Sequence, residues 1–467
     1  MEKKDNYKLH IAIFPWLAYG HVKPFFEVSK FLAQKGHKIS FISTPKNLQR
    51  LPKHPLINFV SFPLPHVDGL PQGTESTSEL PIHKVPFLKK AYDQLAPSLT
   101  QFLNDSNDVK WIVHDVICHW VPRVTSQLGI NSVYFSITTA TTLAFFGPPS
   151  ELLGSRRQRP EDFTVVPEWF DFECDVAFRL FEVTGHWKCM DEGANDFERL
   201  AETIQGCDLV ILRTSPEFEP DSLSLVSKLY GKPVLPIGFL PSSPPDIHDM
   251  ERDEKWKGLK EWLDGKVENS VVYIAFGTEV SLTRDLMHEL AYGIEKSGLP
   301  FIWIINDRPL VEGTLGLDII PPGFETRVSD RGLVWRGWAP QLNILAHRSV
   351  GGFLTHCGWF SVIEALGFGK PLILLSGASA DLGLISRMLH MKRVGLEIPR
   401  DDKTGSFTSE SVSELMKRVV VGEEGESVRA NARAVRDIFG DVDVNNKWLE
   451  DFNLCLETWP VRKSRPL

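Results

Sequence analysis

Paired cysteines, long apolar runs and an excess of basic charge are all missing from this 467-residue chain, and each absence closes off a class of function. Cys118, Cys174, Cys189, Cys207, Cys357 and Cys455 are scattered and form no CxxC pair. A disulfide framework and a zinc site are therefore not expected, and the thiols read as isolated groups in a reducing compartment. No apolar run reaches the ~20 residues of a membrane-spanning helix, and the charged opening MEKKDNYKLH is unlike a signal peptide. The expected location is the cytoplasm. A net charge of -9 gives no reason to expect a nucleic-acid partner, which calls for a basic face. Aromatics are abundant instead: 13 Trp and 29 Phe suit a protein that surrounds a bulky, largely apolar small molecule.

The length is too great for one core and right for two. Leu9–Phe14 reads as a buried strand ended by Pro15. After the loop WLAYGH, the segment 22–35 carries Phe25, Val28, Phe31 and Leu32 at helical spacing and stops at Gly36; His37–Ser43 is a second strand. Ligands of such parallel βαβ units sit beyond the carboxyl ends of the strands, so the loop with Gly20 and His21 is a site by position. Strands at Trp111–Val113 and Val133–Ser136 deliver His114, Asp115 and the threonines 138, 139, 141 and 142 to the same rim. From about 145 to 200, prolines and aromatics without a period (GPPSELL, PEWFDFE, GHWKC) predict irregular pocket material rather than sheet.

Leu209–Arg213 and Val234–Ile237 are short strands, and the proline-rich, then charged, stretch 241–255 reads as a linker. The plan then restarts: strand Ser270–Phe276, helix Arg284–Lys296, strands Phe301–Ile305, Val334–Gly337 and Gly395–Ile398, a helix near 409–421 and a helical tail through 430–456. The predicted class is α/β, with two similar parallel-sheet domains facing across a cleft.

The second half is organised around residues 338–381. Trp338-Ala339-Pro340-Gln341 opens the stretch, an apolar run follows, and then come Thr355-His356-Cys357-Gly358-Trp359, Ser361 and Glu364. This resembles the signature box of plant family 1 UDP-glycosyltransferases. The resemblance covers nearly the whole chain, because Gly20, His21 and Pro24, the Phe276-Gly277-Thr278 turn and the box fall in the family's order. It implies the GT-B fold, two Rossmann-like domains: residues 1–240 for the acceptor, the linker 241–255, residues 256–445 for the nucleotide sugar, and a tail helix, 446–467, crossing back to the first domain. It also implies a monomer, a UDP-sugar as co-substrate, and no metal. The phrases QKGHKISFISTPKN and LGFGK are similar to the branch that glycosylates existing glycosides, terpenoids or phenolics.

Inverting glycosyl transfer needs a base to take the proton of the acceptor hydroxyl as it attacks the anomeric carbon, and an imidazole titrates in the right range. His21 is the candidate. Asp115 falls where the family keeps the carboxylate that orients that ring, and His114 and His119 read as packing or pocket residues. By the same resemblance Trp338 would stack on uracil, a contact typically worth about 1–3 kcal/mol, with Ala339 and Gln341 near base and ribose. Glu364 would accept the ribose hydroxyls. His356, Gly358, Trp359 and Ser361 form a turn opening into a helix whose amides suit a diphosphate, and Thr278 would approach it from the other side.

The sugar end departs from the family. Its Trp-Asn-Ser is here Trp359-Phe360-Ser361, which puts an apolar ring where an amide meets the diphosphate. Its closing Asp/Glu-Gln pair falls on Ala380 and Asp381 by strict count, or on Asp381 and Leu382 with one inserted residue. The Gln is lost either way, the Asn that follows falls at Leu384 or Ile385, and a proline becomes Ser376 in the run SGASA. Three readings follow. The first is a glycosyltransferase with altered donor choice, acting through His21 and Asp115 on an apolar plant metabolite. The second is an enzyme of this fold that has lost the nucleotide sugar and uses the same pair for proton transfer, cyclisation or isomerisation. The third is a non-catalytic small-molecule binder.

Overall fold

Short apolar strands alternating with amphipathic helices build two parallel sheets in the computed structural model, which describes residues 7–154, 156–187, 195–242, 254–277, 282–305, 319–377 and 381–460. The first sheet holds β1 (His10–Phe14), β2 (Lys38–Ser43), β3 (Ile57–Ser61), β4 (Val109–His114), β5 (Asn131–Ser136), β6 (Leu209–Leu212) and β7 (Val234–Pro236), in the order β3-β2-β1-β4-β5-β6-β7. The second holds β8 (Val271–Ala275), β9 (Phe301–Ile305), β10 (Gly332–Arg336), β11 (Val350–Thr355), β12 (Leu372–Leu374) and β13 (Gly395–Glu397), in the order β10-β9-β8-β11-β12-β13. Every pairing is parallel. The predicted pair of parallel α/β sheets is what forms.

Each sheet reverses its strand order once, between β1 and β4 in the first and between β8 and β11 in the second. At such a switch point the flanking helices diverge and leave a crevice at the carboxyl ends of the strands. Phe14 pairs with His114 at one of them and Ala275 with Thr355 at the other, so the loops that follow leave each sheet side by side.

Three local readings are corrected. The first helix spans Tyr19–Gln34, not 22–35, so His21 lies in its opening turn rather than in a loop. The amides of His21 and Val22 both donate to the Ala18 carbonyl at 2.9 Å. Apolar spacing begins only at Val22 and is blind to that turn. The edge strand β3 does not stand out in the sequence because its alternation is weak: Asn58 to Ser61 are all half-buried or exposed. The helical tail is three helices, Glu426–Ala434, Arg436–Gly440 and Val442–Thr458, the last begun by Asp441, whose side chain accepts from the amides of Asp443 and Val444.

The region 145–200 contains no strand among the described residues, and Leu180–Trp187 and Asp196–Gly206 are helical. The final helix returns to the first sheet, where Leu449, Phe452 and Leu456 join the core of β1 and helix Tyr19–Gln34. The two halves also share a core: Phe218 and Phe239 from the first pack with Trp359 and Phe439 from the second. Removing an aromatic side chain of this kind from water contributes roughly 1.5–3 kcal/mol, which holds the back of the cleft closed while its rim stays polar. Residues 243–253 of the expected linker lie outside the described residues.

Candidate active site

Asp115 follows β4 directly and is almost fully buried. Its Oδ2 accepts from the amide of Trp16 at 3.2 Å and its Oδ1 from the amide of Val116 at 2.7 Å. An oxygen already accepting a backbone proton acts as acceptor again toward the ring of His21, whose Nδ1 lies 2.7 Å from Oδ2. Nδ1 therefore carries the proton and Nε2 presents its lone pair. The His21 side chain keeps about a quarter of its surface open to the cleft. The imidazole from the first turn of helix Tyr19–Gln34 and the carboxylate just past β4 thus meet at the switch point of the first sheet.

Behind this pair the wall is apolar. His114 is completely buried, burial holds its imidazole down to about 4, and Cys118 and Tyr134 lie beside it. It is a packing residue. His119 meets Arg199, which is bound to Asp93, and stands outside the cleft chemistry.

Across the cleft, Trp338 is 74% exposed, an open indole face rather than a core side chain. Gln341 is engaged at both ends: its Oε1 accepts from Tyr273 Oη at 3.2 Å, and its Nε2 donates to Ser361 Oγ at 3.0 Å and Glu364 Oε2 at 2.6 Å. Glu364 is buried; burial raises its carboxyl above the ordinary value, opposed by Lys23 and Gln341. Ala339 is half-buried beside the second core. His356 follows β11 and is held down to about 4 by burial, so it is neutral near pH 7. Its ring lies against two glycines: a Cβ at Gly358 would come 2.5 Å from Nε2, and one at Gly277, where φ is +66°, would come 2.8 Å from Cε1. Only glycine leaves that imidazole in place.

Trp359 is 5% exposed, rings of Phe218, Phe239 and Phe439 surround it, and its Nε1 donates to the carbonyl of Arg213 at 3.0 Å. Its side chain joins the two halves. Phe360, the next residue, lies under two cations, with Lys23 Nζ 4.3 Å and Arg213 Cζ 4.9 Å from its ring centre. Lys23 also sits 3.7 Å from Glu364 Oε1. Neither cation stands out in the sequence. The available signals are a lysine on an otherwise apolar helix face and an arginine closing the apolar strand LVIL.

At the sugar end, Asp381 accepts a hydrogen bond from Thr138 Oγ1 of the opposite half. Leu382 is half-buried at the start of helix Leu382–Met391, while Leu384 and Ile385 are buried in the core that holds Trp359 and Phe439. Ser376 is buried and donates to Glu182 Oε1 at 2.7 Å; Glu182 is in turn paired with Arg387 at 2.5 Å. Thr278 and Ala380 lie outside the described residues. Among the described residues no group of three His, Cys, Asp or Glu side chains is placed to hold a metal, and no helix is long and apolar enough to cross a membrane.

Comparison with known proteins agrees with this arrangement. The family model described as UDP-glucoronosyl and UDP-glucosyl transferase matches residues 223–435. UDP-glycosyltransferase 91C1 of Arabidopsis thaliana is 46% identical over 460 residues, covering 97% of each chain. Soyasaponin III rhamnosyltransferase of Glycine max is 39% identical over 478 residues, covering 98% of each. Among solved structures, Glycyrrhiza uralensis UGT73P12 complexed with glycyrrhetinic acid 3-O-monoglucuronide aligns with a TM-score of 0.78 over 96% of both chains at 21% identity, a likeness of fold. The two parallel sheets have the GT-B fold, and with full-length relatives at this level of identity the chain belongs to the plant family 1 UDP-glycosyltransferases, transferases that take a UDP-sugar as co-substrate and need no metal.

Proposed function

We propose that the chain is an inverting glycosyltransferase in which His21 is the general base and Asp115 orients it, acting on a hydroxyl of an apolar plant specialised metabolite or its glycoside. The observation that carries this reading is the 2.7 Å contact between His21 Nδ1 and a buried Asp115 at the switch point of the first sheet. Nε2 takes the proton of the acceptor hydroxyl as its oxygen bonds to the anomeric carbon and the bond from that carbon to the diphosphate breaks, releasing UDP. Asp115 stabilises the imidazolium that forms. Residues 1–240 supply the acceptor side and 256–445 the donor side, with Trp338 on uracil, Gln341 and Glu364 toward the ribose, and His356, Gly358 and Ser361 toward the diphosphate.

Donor choice is altered on this reading. The family's closing Gln is lost and its following Asn is replaced by Leu384 or Ile385, leaving Asp381, held by Thr138, as the polar side chain toward the sugar among the described residues. The name of the Glycine max relative couples rhamnosyl transfer to soyasaponin III, which makes UDP-rhamnose and a saponin-like glycoside the first pair to try. The chain acts as a monomer in the cytoplasm.

The test is product formation from UDP-glucose and UDP-rhamnose with a panel of terpenoid and phenolic glycosides, using wild type and His21→Ala. A glycosylated product from the wild type, lost in the variant, supports the reading. A wild type that transfers no sugar yet converts an acceptor through His21 would instead favour sugar-independent chemistry, the reading that Phe360 suggests.

A further inference from the structure

Lys23 and Arg213 are buried cations with incomplete partners, both aimed at the same ring. The Lys23 side chain is about three-quarters buried, and its nearest carboxylate among the described residues, Glu364, is at 3.7 Å, too long for a hydrogen bond. Arg213 is more completely buried: Nε donates to the Phe239 carbonyl at 2.8 Å and Nη2 to the Leu240 carbonyl at 3.4 Å, while Nη1 has no hydrogen-bond partner among the described residues. Two carboxylates act on both, Glu364 and Glu27: the other oxygen of Glu364 is already taken by Gln341, and Glu27 is paired with Lys30 at 2.6 Å. A phenyl face attracts a cation weakly and accepts no proper hydrogen bond, so it does not replace the water these groups have lost. With Lys23, Arg213 and Lys30 set against Glu364 and Glu27, the cluster holds one more positive charge than negative, beside the box position from which the family's amide meets the diphosphate.

We infer that Lys23 and Arg213 form a diphosphate clamp supplied by the first half of the molecule, with Phe360 as the spacer that holds the two cations apart. This rests on reading the cleft as a UDP-sugar site, and deepens it. When the ribose hydroxyls take Glu364, the Lys23 ammonium is released toward the phosphate oxygens, and the guanidinium presents Nη1 to the same group. Two cations from one half then do the work of the missing amide from the other. Charge-assisted contacts are stronger than neutral ones, so Phe360 does not close the donor site. Lys23 lies two residues from His21 on one helix, which couples leaving-group stabilisation to the position of the base.

Calorimetric titration of the full chain with uridine, UMP and UDP tests this, comparing wild type with Lys23→Met and Arg213→Gln. Wild type is expected to bind UDP more tightly than uridine. Lys23→Met is expected to lose about tenfold to a hundredfold in UDP affinity and nothing in uridine affinity, the loss shrinking at high salt. Uridine binding reports that each variant is folded, so failure of Arg213→Gln to fold leaves the Lys23 result decisive. Full UDP affinity in Lys23→Met overturns the clamp. So does an equal loss for uridine and UDP, which would make Lys23 a structural partner of Glu364. A wild type that binds neither uridine nor UDP overturns the donor reading itself, and is distinguishable from both.

Discussion

The two switch points use one architecture under different constraints. At β1 and β4 the contacts seen among the described residues are local to the first half: Asp115 is held by the amides of Trp16 and Val116, and His21 by Asp115. Beyond β11 and β12 the corresponding rim is finished by the opposite half. Asp381 is bound by Thr138, Ser376 by Glu182, Glu364 is approached by Lys23, and Phe360 lies under Lys23 and Arg213. On the proposed function, His21 needs a geometry that survives any relative motion of the two sheets, and its contact with Asp115 lies within one half. The contacts of the sugar end are instead made across the cleft, and Lys23 is the one among them that shares a helix with His21.

The comparison breaks most sharply at His21. Replacement by alanine should lower kcat by roughly 10²–10⁴-fold, the usual contribution of a positioned base, with UDP affinity unchanged in a calorimetric titration. An undiminished kcat would remove the first switch point from the chemistry.

Each switch point also carries one histidine with its pKa held down to about 4, the fully buried His114 behind the first and the half-buried His356 in the second. Between pH 6.5 and about 4 the unfolded chain binds more protons than the folded one, so stability is full above that window and lost as pH falls through it. A tenfold difference in proton affinity between the two states is worth about 1.4 kcal/mol, so each histidine contributes about 3 kcal/mol to the loss. Melting temperatures measured at intervals from pH 7 to pH 4 should show a slope that flattens in His114→Gln and again in His356→Gln.

Trp338→Ala should weaken UDP and UDP-sugar binding by about 1–3 kcal/mol, leaving acceptor affinity intact. An exposed indole costs little to remove structurally, so the melting temperature serves as the control. Smaller still is the effect at the sugar end. Thr138→Val frees the Asp381 carboxylate from its partner across the cleft and should change the ratio of kcat/KM for UDP-rhamnose over UDP-glucose by roughly tenfold, about the worth of one hydrogen bond to a charged group. An unchanged ratio would mean that the opposite half has no part in donor choice.

Much of this is legible along the chain. Parallel strands with apolar runs, the turns after them, and the spacing of Trp338, Gln341, His356 and Glu364 are local patterns, and the periodicities of strand and helix expose them directly. His21 and Asp115 are legible for the same reason, each lying just past a strand that reads clearly. The first turn of helix Tyr19–Gln34 and the half-exposed edge strand β3 are not, since neither has an apolar repeat of its own.

The chain by itself therefore determined the class, the two sheets, the box and the residues able to take a proton, because these follow from spacing along the backbone. Only the tertiary structure decided that Trp359 is an interior joint between the halves and that Phe360 is covered by Lys23 and Arg213. It alone paired Asp381 with a threonine 243 residues away. Those relations depend on which side chains two separately wound sheets bring face to face, and a contact made through space across a cleft leaves no period in the sequence.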